Sequence, residues 1–184
     1  MSSVRMIICT LAFLISNTIN GFAQQPDFSG TWSLDTEHSH KSEETNLTGL
    51  SEIGPPETIH ITQPANGALI IESPIRNSQA RFYVPGEKTS TPVLLGNVST
   101  ITMDSRWEGK TLVSEGERTS SSEAVISIKE MFQLDSEGQT LEVQIEIDDN
   151  QGKNKSVLSY KRTARLESCE NWPVPCKNRP GSNR

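Results

Sequence analysis

Residues 123–147 read EAVISIKEMFQLDSEGQTLEVQIEI, and the spacing of their apolar residues decides the fold class. Ile126, Ile128, Phe132 and Leu134 recur at intervals of two or four. After DSEGQ at 135–139, the residues Leu141, Val143, Ile145 and Ile147 alternate with polar neighbours. A helix would place its apolar residues three and four apart; a period of two is that of a strand with one dry face. The intervening Asp-Ser-Glu-Gly is turn chemistry, so the stretch predicts two antiparallel strands joined as a hairpin. One residue breaks the apolar face. Glu130 shares its parity with Ile128 and Phe132.

The same period extends outward in both directions. It runs through FSGTWSL (28–34), TIHIT (58–62), ALII (68–71), ARFYV (80–84), STITMDSRW (99–107), KTLVSEG (110–116) and KSVLSYKR (155–162). Phe28, Gly30, Trp32 and Leu34 share one face, Ile101, Met103 and Trp107 another, and Leu158, Tyr160 and Arg162 a third. Glycine-bearing links at 64–67, 107–110, 135–139 and 149–153 suit tight hairpins. The expectation is an all-β, single, antiparallel up-and-down barrel of about eight to nine strands. A strand meander with one apolar face must close on itself or pack on a second sheet, and closure removes exposed edges. Residues 36–56 and 85–97, PGEKTSTPVLLGN, read as two long surface loops.

Residues 1–23 read as a secretory signal peptide, with Arg5, the apolar run 6–15, and Gly21 and Ala23 before the cleavage point. The run is too short to span a bilayer comfortably, and none later approaches the required length. The expected organisation is therefore a leader at 1–23, a barrel at 24–163 and a tail at 164–184. An exported chain, periplasmic or secreted, meets an oxidising compartment, so Cys169 and Cys176 in the tail are expected to form a disulfide. The formal charge of −6 argues against nucleic acid as a partner.

DFSGTWSLD at 27–35, IHITQ at 59–63, WEGKTL at 107–112, EMFQLDSEGQTLEV at 130–143 and YKR at 160–162 occur in an order that resembles the small exported bacterial lipocalin-like, calycin-type barrel proteins. The chain departs from that pattern at Tyr83-Val-Pro-Gly86 and at Phe132. The resemblance implies that Gly30 and Trp32 close one barrel end and that Arg162 packs over the tryptophan. It implies a fold more than a function.

For function, the interior matters most. A barrel can hold a small, mostly apolar or amphipathic ligand if its inner side chains leave room. The candidate lining is Ile101, Met103, Ile128, Glu130, Phe132, Val143, Ile145 and Tyr160. Glu130 stands out because an inward carboxyl needs a partner, a ligand or water, with Arg76, Arg81 and Arg106 as candidate partners. A bulge that turns Glu130 outward is the other reading of the same residues. Glu37, His38 and His40 have the makings of a metal half-site without a third ligand at a convincing spacing, so no metal and no cofactor is expected. No nucleophile elbow, phosphate loop or catalytic triad order occurs. The alternative function is a protein-interaction barrel, such as an exported protease inhibitor or envelope accessory protein, working through 36–56 and 85–97.

Overall fold

The computed structural model describes residues 25–40, 55–64, 67–73, 80–93, 99–119, 125–149 and 152–163. Ten antiparallel strands occupy them: β1 (Gly30–Leu34), β2 (Thr58–Thr62), β3 (Leu69–Glu72), β4 (Arg81–Tyr83), β5 (Lys88–Val93), β6 (Ser99–Glu108), β7 (Thr111–Thr119), β8 (Val125–Leu134), β9 (Thr140–Asp149) and β10 (Gly152–Arg162). No helix occurs among the described residues.

All ten strands form one sheet in the order β4-β3-β2-β1-β10-β9-β8-β7-β6-β5. Every pair is sequential except β1 with β10, where Trp32 faces Arg162 and Leu34 faces Tyr160. That pairing curls the meander into a nearly closed barrel. The remaining seam lies between β4 and β5. It is bridged by the Thr89 hydroxyl donating to the Phe82 carbonyl at 2.8 Å and by Gly86 N–H donating to the Ser105 carbonyl at 2.8 Å.

The count corrects the sequence expectation of eight to nine strands. The tenth is β5, which lies within the segment 85–97 read above as a loop. Its composition, Lys-Thr-Ser-Thr-Pro-Val, lacks the apolar alternation that marks a strand. It pairs with β6 alone, from Lys88 opposite Asp104 to Val93 opposite Ser99. An edge strand tolerates proline, and β-branched threonines suit an extended backbone, so Pro92 does not interrupt it. Residues 1–23, 164–184 and most of 41–56 lie outside the described residues, as do Cys169 and Cys176.

The inward faces pack into one large cluster. Phe28, Trp32, Ile59, Ile61, Leu69, Tyr83, Leu112, Phe132, Leu141, Val143, Ile145 and Tyr160 are all fully buried within it. A smaller cluster of Ile101, Met103 and Ile128 lies on β6 and β8. Two devices hold one barrel end. The Trp32 indole donates to the Phe28 carbonyl at 3.0 Å, and Phe28 stacks obliquely on Trp107, with centroids 5.8 Å apart. Above them the Arg162 guanidinium lies 4.4 Å from the Trp32 ring centre. It donates to the carbonyls of Gly138 at 2.8 Å, Ser29 at 2.6 Å and Asp27 at 2.7 Å. One arginine thus ties the N-terminal segment, β10 and the β8–β9 turn together. Gly30, at φ +143°, gives the backbone a conformation that side chains disfavour.

Burial on the outer face of β1–β3 departs from simple alternation. Thr31, His60 and Glu72 sit side by side across these strands with parity opposite to Trp32, Ile59 and Ile71, yet all three are buried. The Thr31 hydroxyl and His60 Nδ1 are 3.2 Å apart.

Candidate functional site

Strand parity places Glu130 inside the barrel, and its side chain has no exposure to solvent. The Tyr83 hydroxyl donates to Glu130 Oε2 at 2.7 Å. The other carboxyl oxygen, Oε1, is equally buried and has no hydrogen-bond partner among the described residues. Tyr83 is fixed in turn by its edge contact with Phe132, at a centroid distance of 4.9 Å. Arg81 lies two residues before Tyr83 on β4, on the same face, and is itself buried.

Electrostatics follow from this burial. Loss of water pushes the Glu130 carboxyl above its ordinary value, while the charge of Arg81 and the Tyr83 hydrogen bond pull in the opposite direction. Burial also raises Tyr83 well above the ordinary tyrosine value, with the Glu130 charge adding to the effect. Tyr83 therefore keeps its proton and serves as a donor.

The level of the barrel around Glu130 is polar and small. The register runs Ser105, Ser114, Glu130, Ile145 and Ser156 across β6 to β10. Ser105 and Ser114 are fully buried and hydrogen-bonded to each other at 2.9 Å. On β6 to β8 this polar level separates the Ile101–Met103–Ile128 cluster from the large core. Buried polar groups inside a core are retained only where they are satisfied or used, so a free carboxyl oxygen here is the clearest sign of a site.

Of the expected lining residues, Ile101, Met103 and Ile128 fall on one side of Glu130, and Phe132, Val143 and Tyr160 on the other. Ile145 lies beside Glu130 on the next strand. All are inward and closely packed. The Tyr160 hydroxyl donates to the Pro56 carbonyl at 3.2 Å, which anchors it. Among the candidate partners of Glu130, Arg81 is the one whose charge reaches it. Arg106 points outward and pairs with Glu108 at 2.7 Å and Glu115 at 2.8 Å. Arg76 lies outside the described residues. Tyr83, the actual hydrogen-bond partner, was legible only as part of a strand. Its alternation with the exposed Phe82 was the available signal.

A recess on β7 to β10 is lined by neither Glu130 nor Tyr83. It measures about 660 Å³ and is bordered by two outward rows, Glu115–Lys129–Glu146–Lys155 and Glu117–Ser127–Asp148–Lys153. Lys129 pairs with Glu115, Lys155 with Glu146 and Lys153 with Asp148, and Arg106 and Lys129 hold the Glu115 carboxyl down at about 2. At the end of β1, Asp35, Glu37 and His38 come together, with Asp35 already bonded to His38 at 2.8 Å and Lys161 at 2.6 Å.

Solved structures with this arrangement of strands include the REP1-NXSQ fatty acid transporter, with a TM-score of 0.55 at 15% identity over 77% of this chain and 98% of that one. What they share with this chain is the fold, a nearly closed antiparallel β-barrel. A zebrafish ileal bile acid-binding protein complexed with cholic acid matches at TM-score 0.50 and 15% identity, over 74% and 98% of the two chains. Caenorhabditis elegans lipid binding protein 8 matches at 0.51 and 15%, over 74% and 95%. No protein-family model and no curated protein sequence matches the chain.

Two predictions concern the Tyr83–Glu130 pair. Glu130→Leu strands the tyrosine hydroxyl, and Tyr83→Phe strands the second carboxyl oxygen. Each single change is expected to lower stability by about 1–3 kcal/mol. The double variant, which removes both polar groups, is expected to recover most of that loss. Denaturant unfolding of the four proteins gives the coupling directly, and additive losses would show that the pair does not interact.

The second prediction concerns pH. The folded chain holds the Glu130 proton more tightly than the unfolded chain, whose carboxyl titrates near the ordinary 4.5. Unfolding then releases a proton as pH rises above that value, so this group's contribution to stability fades until its raised folded pKa is passed. Glu130→Gln lacks this titration. The difference in melting temperature between the wild type and Glu130→Gln is expected to shift against the wild type between pH 4.5 and neutrality, and a constant difference would refute it.

Proposed function

We propose that this chain is a binding barrel for a small, mostly apolar ligand whose polar end meets the Glu130–Tyr83 pair. The observation that carries the reading is Glu130 Oε1, a fully buried, inward acceptor without a partner among the described residues, set between two apolar clusters. The likeness in fold to a fatty acid transporter, an ileal bile acid-binding protein and a lipid binding protein supports the same reading. Close packing around Glu130 means that a ligand takes its volume by displacing side chains, and the β4–β5 seam, where no strand ladder holds the wall, is the route with the fewest hydrogen bonds to break. No helix among the described residues is long and apolar enough to cross a membrane.

An apolar fluorophore tests this. The wild type is expected to bind it at one site and release it to short-chain lipids, and Tyr83→Trp, which fills the space beside Glu130, is expected to abolish the competition. A probe that binds only the unfolded chain, or that competes equally with Tyr83→Trp, would sink the reading.

Export is the second part of the proposal. It rests on the composition of residues 1–23 and on the cysteine pair in the tail. Amino-terminal sequencing of the protein recovered from its own cells is expected to begin at Gln24. A chain that begins at Met1 or Ser2 would contradict it.

A further inference from the structure

The binding reading leaves open which polar group the barrel accepts. A carboxylate, a hydroxyl and an amide would each suit an apolar cup, and they differ in what they offer to Glu130.

Three features of the site bear on the choice. The first is direction. The one proton of the Tyr83 hydroxyl is already donated to Glu130 Oε2, at 2.7 Å. With Glu130 ionised, the oxygens that remain, Glu130 Oε1 and the lone pairs of Tyr83, accept hydrogen bonds and have none to give. A carboxylate has no proton to offer them.

The second is charge. The guanidinium of Arg81 and the carboxyl of Glu130 share the interior, and the positive charge of Arg81 acts on both Glu130 and Tyr83. One cation and one anion leave the buried site balanced. A further anion would bring a second negative charge beside Glu130 in a medium that screens poorly, and a further cation would do the same to Arg81.

The third is what lies alongside. The next residue in the same level is Ser114, paired to Ser105 at 2.9 Å. These hydroxyls are uncharged and small. They can both give and take a hydrogen bond, and they supply no second cation with which to hold a carboxylate.

Resting on the binding reading above, we propose that the site selects an uncharged hydrogen-bond donor, a hydroxyl or amide at the end of an apolar chain, and discriminates against the corresponding carboxylate. The donor meets Glu130 Oε1, a buried acceptor on the inward face that has no hydrogen-bond partner among the described residues. The carboxyl that makes the site is thereby also the group that repels acids.

Isothermal titration of the full-length wild type with 1-decanol and with decanoate at pH 8, both below their aggregation limits, tests this. Decanol is expected to bind one to one, with decanoate at least about tenfold weaker. Glu130→Gln, which keeps the shape and removes the charge, is expected to narrow that ratio to about threefold or less, because the amide also donates. Decanoate binding the wild type as tightly as decanol would overturn the proposal while leaving the binding barrel intact. If neither compound binds, the binding reading itself fails and this inference with it. The comparison on the wild type decides the matter even if Glu130→Gln does not fold.

Discussion

Replacing Arg162 by alanine is expected to lower the melting temperature by about 10 °C. The change removes three hydrogen bonds to backbone carbonyls, at 2.6 to 2.8 Å, and a cation held 4.4 Å from the Trp32 ring. Hydrogen bonds from a charged donor contribute about 1.5–3 kcal/mol each, and a cation–π contact about 0.5–2 kcal/mol, but the guanidinium is only partly buried and the terms overlap. A net loss of about 3–4 kcal/mol is a reasonable total, and each kcal/mol moves the midpoint of a chain this size by about 2–4 °C. The Trp32 indole keeps its bond to Phe28, so the barrel end loosens without losing its plug. Arg162→Lys separates charge from geometry. A lysine cannot reach three carbonyls from one planar group, so it is expected to recover less than half of the loss. Thermal unfolding of the three proteins checks this, and a melting temperature within about 2 °C of wild type for Arg162→Ala would refute it.

Gly116→Ala is expected to damage the fold at least as severely, for a different reason. Gly116 sits on β7 opposite Met103 and Ile128, facing inward. A methyl group there would overlap the carbonyl oxygen of Thr102 and lie 2.8 Å from both the Cα and the Sδ of Met103. The thioether can swing away, but a strand's backbone cannot without breaking its ladder. Overpacking of a core commonly destabilises by about 1–3 kcal/mol, and a backbone clash belongs at or above the upper end. The expected result is a loss of about 3 kcal/mol or more in denaturant unfolding, with β6–β7 amides exchanging faster than the rest of the sheet. Gly116→Ala combined with Met103→Ala should recover only the part due to the sulfur. Full recovery in the pair would show that the backbone approach is not limiting.

These two sites show how unevenly the fold could be read from the sequence. Arg162 and Trp32 each lie on a strand whose faces follow from counting by two, and their pairing was what the family resemblance implied. The long strands β6, β8 and β9 were legible for the same reason, since each carries three or more apolar residues on its inward face, while β7 and β10 were read from shorter apolar patches. β5 was not. Its residues are polar on both faces, and only the hydrogen bonds of β6 make them a strand. Gly116 was read as no more than the end of the strand segment 110–116, because a glycine demanded by a neighbouring backbone carries no mark of its own.

The candidate site divides in the same way. Glu130 announces itself as the one charge on an otherwise apolar face. Its partner does not. Tyr83 stands 47 residues away on a strand of three residues, and curling of the sheet, a property of the whole chain, brings the two together. The buried outer row Thr31–His60–Glu72 was invisible for a related reason. Alternation predicts which side a residue faces, and says nothing of what covers that side.

The most direct test of the central claim is native mass spectrometry of the protein purified under non-denaturing conditions from the cells that make it. The account predicts a one-to-one adduct with a small organic molecule, which dissociates on mild activation and proves to be mostly apolar with one hydrogen-bonding end. It also predicts that Tyr83→Trp, purified in the same way and shown to be folded, carries no adduct. A wild-type barrel recovered repeatedly at its bare mass, and still bare after incubation with an excess of short-chain alcohols and acids, would contradict the claim.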